Sequence, residues 1–153
     1  KTLWAWWFMQ MNKNDQTITE KLTLFWHNHF VISDAGNANM NWEYLTKLRD
    51  LGLGDFKELT KQMTIDRSML IYLNGTTNFA DEPNENYARE LMELFTLGKG
   101  TGSQYTEADV KEAAKVLTGW QVNTSNYTTV FTSSRHSSVN KTFSEAKSIA
   151  TFL

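Results

Sequence analysis

The chain has 153 residues, a net charge of −2 and 41% hydrophobic content, enough apolar material to close one ordinary core. Acids and bases are interspersed, so no basic surface is advertised and nucleic-acid binding is not expected. With no cysteine there are no disulfides, no thiol chemistry and no cysteine-ligated zinc, and any metal would rest on His, Asp, Glu or amide groups.

Six Trp, nine Phe and five Tyr suit a well-packed interior or a carbohydrate- or peptide-binding face, of which packing is the ordinary use. The longest apolar run, LWAWWFMQM at Leu3–Met11, is far shorter than the roughly 20 residues that span a bilayer. It also lacks the charged front and small-residue cleavage site of a signal peptide. Within it Leu3, Trp6, Trp7 and Gln10 or Met11 recur at helical spacing, and the polar NKNDQT breaks the pattern before a second helix. Thr17 or Thr19 is the expected cap of that helix. Its apolar positions Ile18, Leu22, Phe25, Trp26, His29 and Phe30 follow the i, i+3, i+4 rule, with Leu24 and Val31 elsewhere on the cylinder, so it is expected to be buried nearly all round.

SDAGNANMN at Ser33 to Asn41 reads as a loop, and WEYLTKLRDLGLG as a short helix ended by glycine. Asp55 and Asp66 cap two short amphipathic helices, DFKELTKQMT and DRSMLIYLN. GTTNFADEPNE connects them to the next helix, with Pro83 placed as a first helical turn accepts it. In NENYARELMELFTLG the stripe Tyr87, Leu91 and Leu94 predicts one continuous helix stopped by Gly98. YTEADVKEAAKVLTGW predicts another, with Thr106 and Asp109 in capping-box spacing and Gly119 as terminator. From Gln121 to Thr142 the helical period vanishes, leaving a loop or short hairpin. The fold class expected is mainly α: one irregular bundle of six or seven helices over residues 1–153, with a loop or hairpin near 121–142. The chain begins inside one helix-like run and stops at Leu153 inside another, so it is expected to be the central piece of a longer protein.

The chemistry centres on FWHNHF, where His27 and His29 stand among aromatics. Each helical residue advances about 100°, so the two imidazoles are about 200° apart and cannot share an ion from a regular helix. His29 continues the apolar stripe and is the better core residue, which makes His27 the better site residue; a pair of neutral, hydrogen-bonded core histidines is the plain alternative. In the strongest helix Asn86, Glu90 and Glu93 share a face, Glu85, Arg89 and Glu93 form a second ladder, and Asn84 to Asn86 surround an N-terminus open to an anion. The plain alternative there is a solvated flank of ordinary ion pairs. His136 lies in a loop beside Arg135, with Lys141 following. If His27, a carboxylate of Glu90 or Glu93, and His136 meet, with His29 joining where the helix unwinds, they suit a divalent ion such as zinc, manganese or iron. Without metal, the same groups offer a general acid and base, with Arg89 for an anionic substrate group. The N-x-S/T triplets at Asn74, Asn123, Asn126 and Asn140 would matter only in a eukaryotic secreted protein.

Taken in order, EKLTLFWHNHF, DRSMLIYLNGTTN, NENYARELMELFTLG, YTEADVKEAAKVLTGW and HSSVNKTF resemble the bacterial family called domain of unknown function (DUF) 1800, from about Trp4 to Phe143. The resemblance implies a largely helical, commonly exported bacterial protein several times longer than a minimal domain, with no assigned activity. Its members usually read H-D-x-G-x-K in the last motif; this chain has Ser137 after His136 and lacks the glycine. The matching motifs single out His27, His29, Asn84, Asn86, Arg89, Glu90 and Glu93. The leading expectation is a hydrolase-like or metal-assisted enzyme with a polar site where the His27 helix meets the Asn86 to Glu93 helix. The other is a non-catalytic scaffold or binding module for an exported protein partner or a polysaccharide.

Overall fold

A computed structural model describes residues 2–13, 17–33 and 37–143. The expected closing helix-like run at 144–153 lies outside them, as do parts of the two loops at NKNDQT and SDAGNANMN. Among the described residues, seven α-helices, one π-helical segment and a two-stranded sheet follow in order. They are α1 Leu3–Met11, α2 Thr19–His29, α3 Ala38–Leu51, α4 Phe56–Thr64, α5 Arg67–Tyr72, α6 Asn86–Glu90, the π segment Leu91–Thr96 and α7 Glu107–Val116. Strands β1 Trp120–Asn123 and β2 Thr128–Phe131 pair antiparallel, Trp120 opposite Phe131, as the hairpin expected within 121–142. The chain is therefore mainly α.

Local chemistry sets most boundaries. The Asp55 carboxylate accepts from Glu58 N at 2.9 Å and that of Asp66 from Ser68 N at 2.9 Å, each satisfying an N–H that the helix cannot. Thr106 and Asp109 form both halves of a capping box at the start of α7. Gly98 and Gly119 end their helices with φ of +83° and +93°, a region costly to any residue with a Cβ. Three expectations give way. The residue at the N-cap of α2 is Ile18, with no side-chain bond, not Thr17 or Thr19. Asn37 caps α3 with Oδ1 accepting from Asn39 N and Met40 N, so that helix starts inside the stretch read as loop. Pro83 precedes α6 by three residues and belongs to the connection, not to a first helical turn.

The core joins Phe30, Tyr44, Leu48, Met63, Tyr87 and Val110 across α2 to α7. Most of the buried polar groups around it are paired, the Ser68 hydroxyl being an exception among the described residues. Glu20 accepts from Trp7 Nε1 at 2.8 Å and from Arg49 Nε at 2.9 Å, tying α1, α2 and α3 together. Asp66 takes Lys47 Nζ at 2.7 Å, and the phenols of Tyr44 and Tyr87 donate to Phe30 O and Met63 O at 2.6 and 3.0 Å. Burial first, and the Asp66 charge second, push both phenols above the ordinary tyrosine pKa, so they stay donors. Helix α2, by contrast, is not buried all round: Phe25 is 57% exposed, and Ile18, Leu24 and neighbouring Val31 are exposed too. Its inner face is instead made by Glu20, Thr23 and, just beyond it, Phe30.

The expected continuous helix from Asn86 to Gly98 changes winding in its middle. Leu97 N donates to Met92 O, five residues back, at 2.9 Å, and Thr96 Oγ1 donates to Leu91 O, also five back, at 2.6 Å. A turn that closes over five residues brings Phe95 onto the stripe of Tyr87 and Leu91, where an α-helix would put Leu94. Phe95 is accordingly buried, while Leu94 is 59% exposed.

Candidate functional site

The same change of winding shapes a cavity. On a regular helix Asn86, Glu90 and Glu93 would share one face. With the wider turn, Leu94 takes the place of Glu93 beside Asn86 and Glu90. All three line a cleft of roughly 600 Å³ together with Asn28, His29, Val31, Tyr72, Leu73 and Phe95. The end of α2, the end of α5 and the α6–π helix thus supply its walls.

His29 is the last residue of α2, and its Nε2 lies 2.9 Å from Phe95 O. A carbonyl only accepts, so Nε2 carries a proton, and in the neutral ring Nδ1 holds the lone pair. Phe95 O is one of the carbonyls that the end of the π segment leaves without a helical partner, and the imidazole caps it. Rings of Phe30 and Phe95 stand 4.7 and 6.0 Å from the imidazole, which fixes its plane. Asn86 donates Nδ2 to Leu73 O at 2.9 Å, leaving Oδ1 as an acceptor. Glu90, half-buried on the same wall, has no hydrogen-bond or ion-pair partner among the described residues.

His27 goes elsewhere. Its ring lies 5.3 Å from Trp7, 5.8 Å from Trp4 and 5.7 Å from Tyr44, and burial there holds its pKa below the ordinary value. The assignment of the two histidines is therefore reversed: His29 lines the cavity, and His27 packs among aromatics. Arg89 and Glu93 also leave the cavity. The Arg89 guanidinium meets Glu107 through two bonds of 2.8 and 2.7 Å and reaches Glu85 and Glu93 at 3.2 and 3.5 Å. Glu107 first, and Glu93 after it, raise the Arg89 pKa, and Lys99 first, then Arg89, lower that of Glu93. The guanidinium is thus turned to three carboxylates rather than to the cavity where an anionic substrate group was expected. The anion site expected at the start of α6 is likewise filled from within, because Asn84 Oδ1 accepts from Asn86 N at 3.0 Å.

His136 and Lys141 come together away from the cavity. His136 Nδ1 donates to Thr118 O at 2.9 Å, and Lys141 Nζ lies 3.3 Å from Nε2. Ser137, in the place of the usual aspartate, is buried and its N–H donates to Thr118 Oγ1 at 2.8 Å. The expected metal set of His27, His29, Glu90 and His136 is thus split over three places. Among the described residues no group of three or more His, Asp or Glu side chains is placed to hold one ion. Of that set only His29 and Glu90 share a site.

Sequence reasoning missed three contributors. Asn28 and Tyr72 line the cavity without having stood out in any periodic pattern. Asn78, fully buried, donates Nδ2 to Ala114 O at 2.8 Å and accepts from Asn84 N at 2.9 Å, so it anchors the approach to α6 on α7. A lone asparagine in a loop carries no signal of such a role.

Over residues 1–151 the sequence matches the family model described as Protein of unknown function (DUF1800), and the chain belongs to that family. No curated protein and no solved structure matches it. Among the described residues no helix is long and apolar enough to cross a membrane.

Proposed function

We propose that this chain carries a hydrolase-like acid–base site in the cleft of His29 and Glu90. One observation supports this above the others. An imidazole with one nitrogen fixed on a backbone carbonyl shares an open cavity with a carboxylate that no described residue pairs with. His29 Nδ1 is the general base that takes a proton from water, and the Phe95 carbonyl holds the ring while it becomes imidazolium. Asn28 and the Tyr72 hydroxyl offer donors to the oxygen that gains charge, and Glu90 with Asn86 Oδ1 orients the substrate. The setting on a π segment agrees, since such windings recur at functional sites.

The test is a panel of chromogenic esters, amides and glycosides run on wild type, His29→Gln and His27→Gln. Turnover should fall about 100-fold or more in His29→Gln, the usual contribution of a general base, and should persist in His27→Gln. Turnover indifferent to His29, or none on any member of the panel, would overturn the enzyme reading. A second reading, a non-catalytic binding module or scaffold, is supported by the exposed side chains of Trp4, Phe8 and Phe25 on α1 and α2. It predicts ligand or partner binding with no turnover at all.

A further inference from the structure

Glu90 is the one residue with a formal charge among the nine that line the His29 cleft. The nearest cation in the sequence, Arg89, turns to Glu85, Glu93 and Glu107, and among the described residues no guanidinium or ammonium pairs with Glu90. A cavity whose one carboxylate has no charged partner among the described residues repels anions and favours a cation. One helical turn before it, the free Oδ1 of Asn86 provides a neighbouring acceptor at i, i+4. Of the remaining walls Asn28 is an amide, while Val31, Tyr72, Leu73, Leu94 and Phe95 are apolar or aromatic and offer a surface for a carbon skeleton and the flank of a cation. A metal would find only one carboxylate and one imidazole nitrogen as strong ligands, fewer than the three or four such sites use. The cleft volume, roughly 600 Å³, is that of a small organic ligand.

Resting on the site proposed above, we infer that its ligand is an organic amine: a primary ammonium on an apolar or aromatic body. The ammonium donates to Glu90 and to Asn86 Oδ1, and the body lies against Leu94, Phe95 and Tyr72. His29 Nδ1 stays free for water. This arrangement uses the donors of an ammonium on acceptors that have no partner among the described residues, and it keeps the base apart from the binding charge.

The experiment titrates the whole chain with phenethylamine, phenethyl alcohol and 3-phenylpropionate, three probes of one shape and different charge, by calorimetry and amide NMR. At low salt the amine should bind about ten-fold more tightly than the alcohol, as a charge-assisted hydrogen bond implies, and the carboxylate weakest. The preference should shrink as salt rises in wild type, a check that needs no variant, and should vanish in Glu90→Gln while surviving in His29→Gln. Equal affinities for amine and alcohol, no binding of the amine, or a preference kept by Glu90→Gln would overturn the inference. So would manganese or zinc displacing the amine at stoichiometric concentration. The two readings fail separately. Amine preference without turnover removes the hydrolase and leaves the amine site, whereas His29-dependent turnover of neutral substrates without amine preference does the reverse.

Discussion

Packed between Trp4, Trp7 and Tyr44, the His27 ring is kept neutral by burial, and its folded pKa lies below the ordinary 6.5. The unfolded chain then binds the extra proton first as pH falls. Stability is unaffected above 6.5 and is lost below it, down to the folded pKa. Urea unfolding across mildly acidic pH should show this decline, and His27→Phe should flatten it; an unchanged slope would count against the burial. Glu20 makes a stronger demand, because it is the shared acceptor of Trp7 and Arg49. Glu20→Ala leaves a buried indole N–H unpaired and should cost about 2 kcal/mol in the urea midpoint, with Trp7→Phe recovering part of that loss in the double variant.

At the scale of elements, stops and starts were readable because they are decided within four residues. Asp55, Asp66, the Thr106–Asp109 box and the two helix-ending glycines needed no distant partner. Thr106→Ala should lower stability by about 1 kcal/mol and Thr106→Ser by much less, measured by thermal unfolding. Gly119→Ala should be worse. At φ +93° the new methyl would sit 3.0 Å from Thr132 O and 3.1 Å from His136 Cβ, and strain of this kind costs about 1–3 kcal/mol. The π segment was not readable, since nothing in LMELFT departs from the pattern of an α-helix. It is made by the bond from Leu97 N to Met92 O, the Thr96 hydroxyl and the demand that Phe95, the larger side chain, fill the core beside Phe30. Thr96→Val should therefore weaken this turn by about 1 kcal/mol and reduce amide-exchange protection from Leu91 to Leu97 first.

For the molecule as a whole, the two helices that meet at the site were legible, but not which faces they turn to it. His29 was taken for core because it continues an apolar stripe, yet much of that stripe is exposed: Phe25 faces solvent, and the inner side of α2 carries Glu20 and Thr23. Counting 3.6 residues per turn puts Glu93 on the faces of both Glu90 and Arg89; the ladder of Glu85, Arg89 and Glu93 forms, while the wider turn puts Leu94 in the cleft beside Glu90. Both errors have one source: periodicity describes an ideal cylinder, and long-range packing decides how it is rotated and wound.

The proposed site requires His29 to present an unprotonated Nδ1 in the cleft that holds Glu90. A long-range 1H–15N spectrum of the imidazoles, recorded where they are neutral and repeated with phenethylamine, tests this most directly. It should show His29 protonated on Nε2 alone, with its Nδ1 resonance moving when the amine binds and that of His27 still. A proton on His29 Nδ1, or an amine that perturbs His27 and leaves His29 untouched, would contradict it.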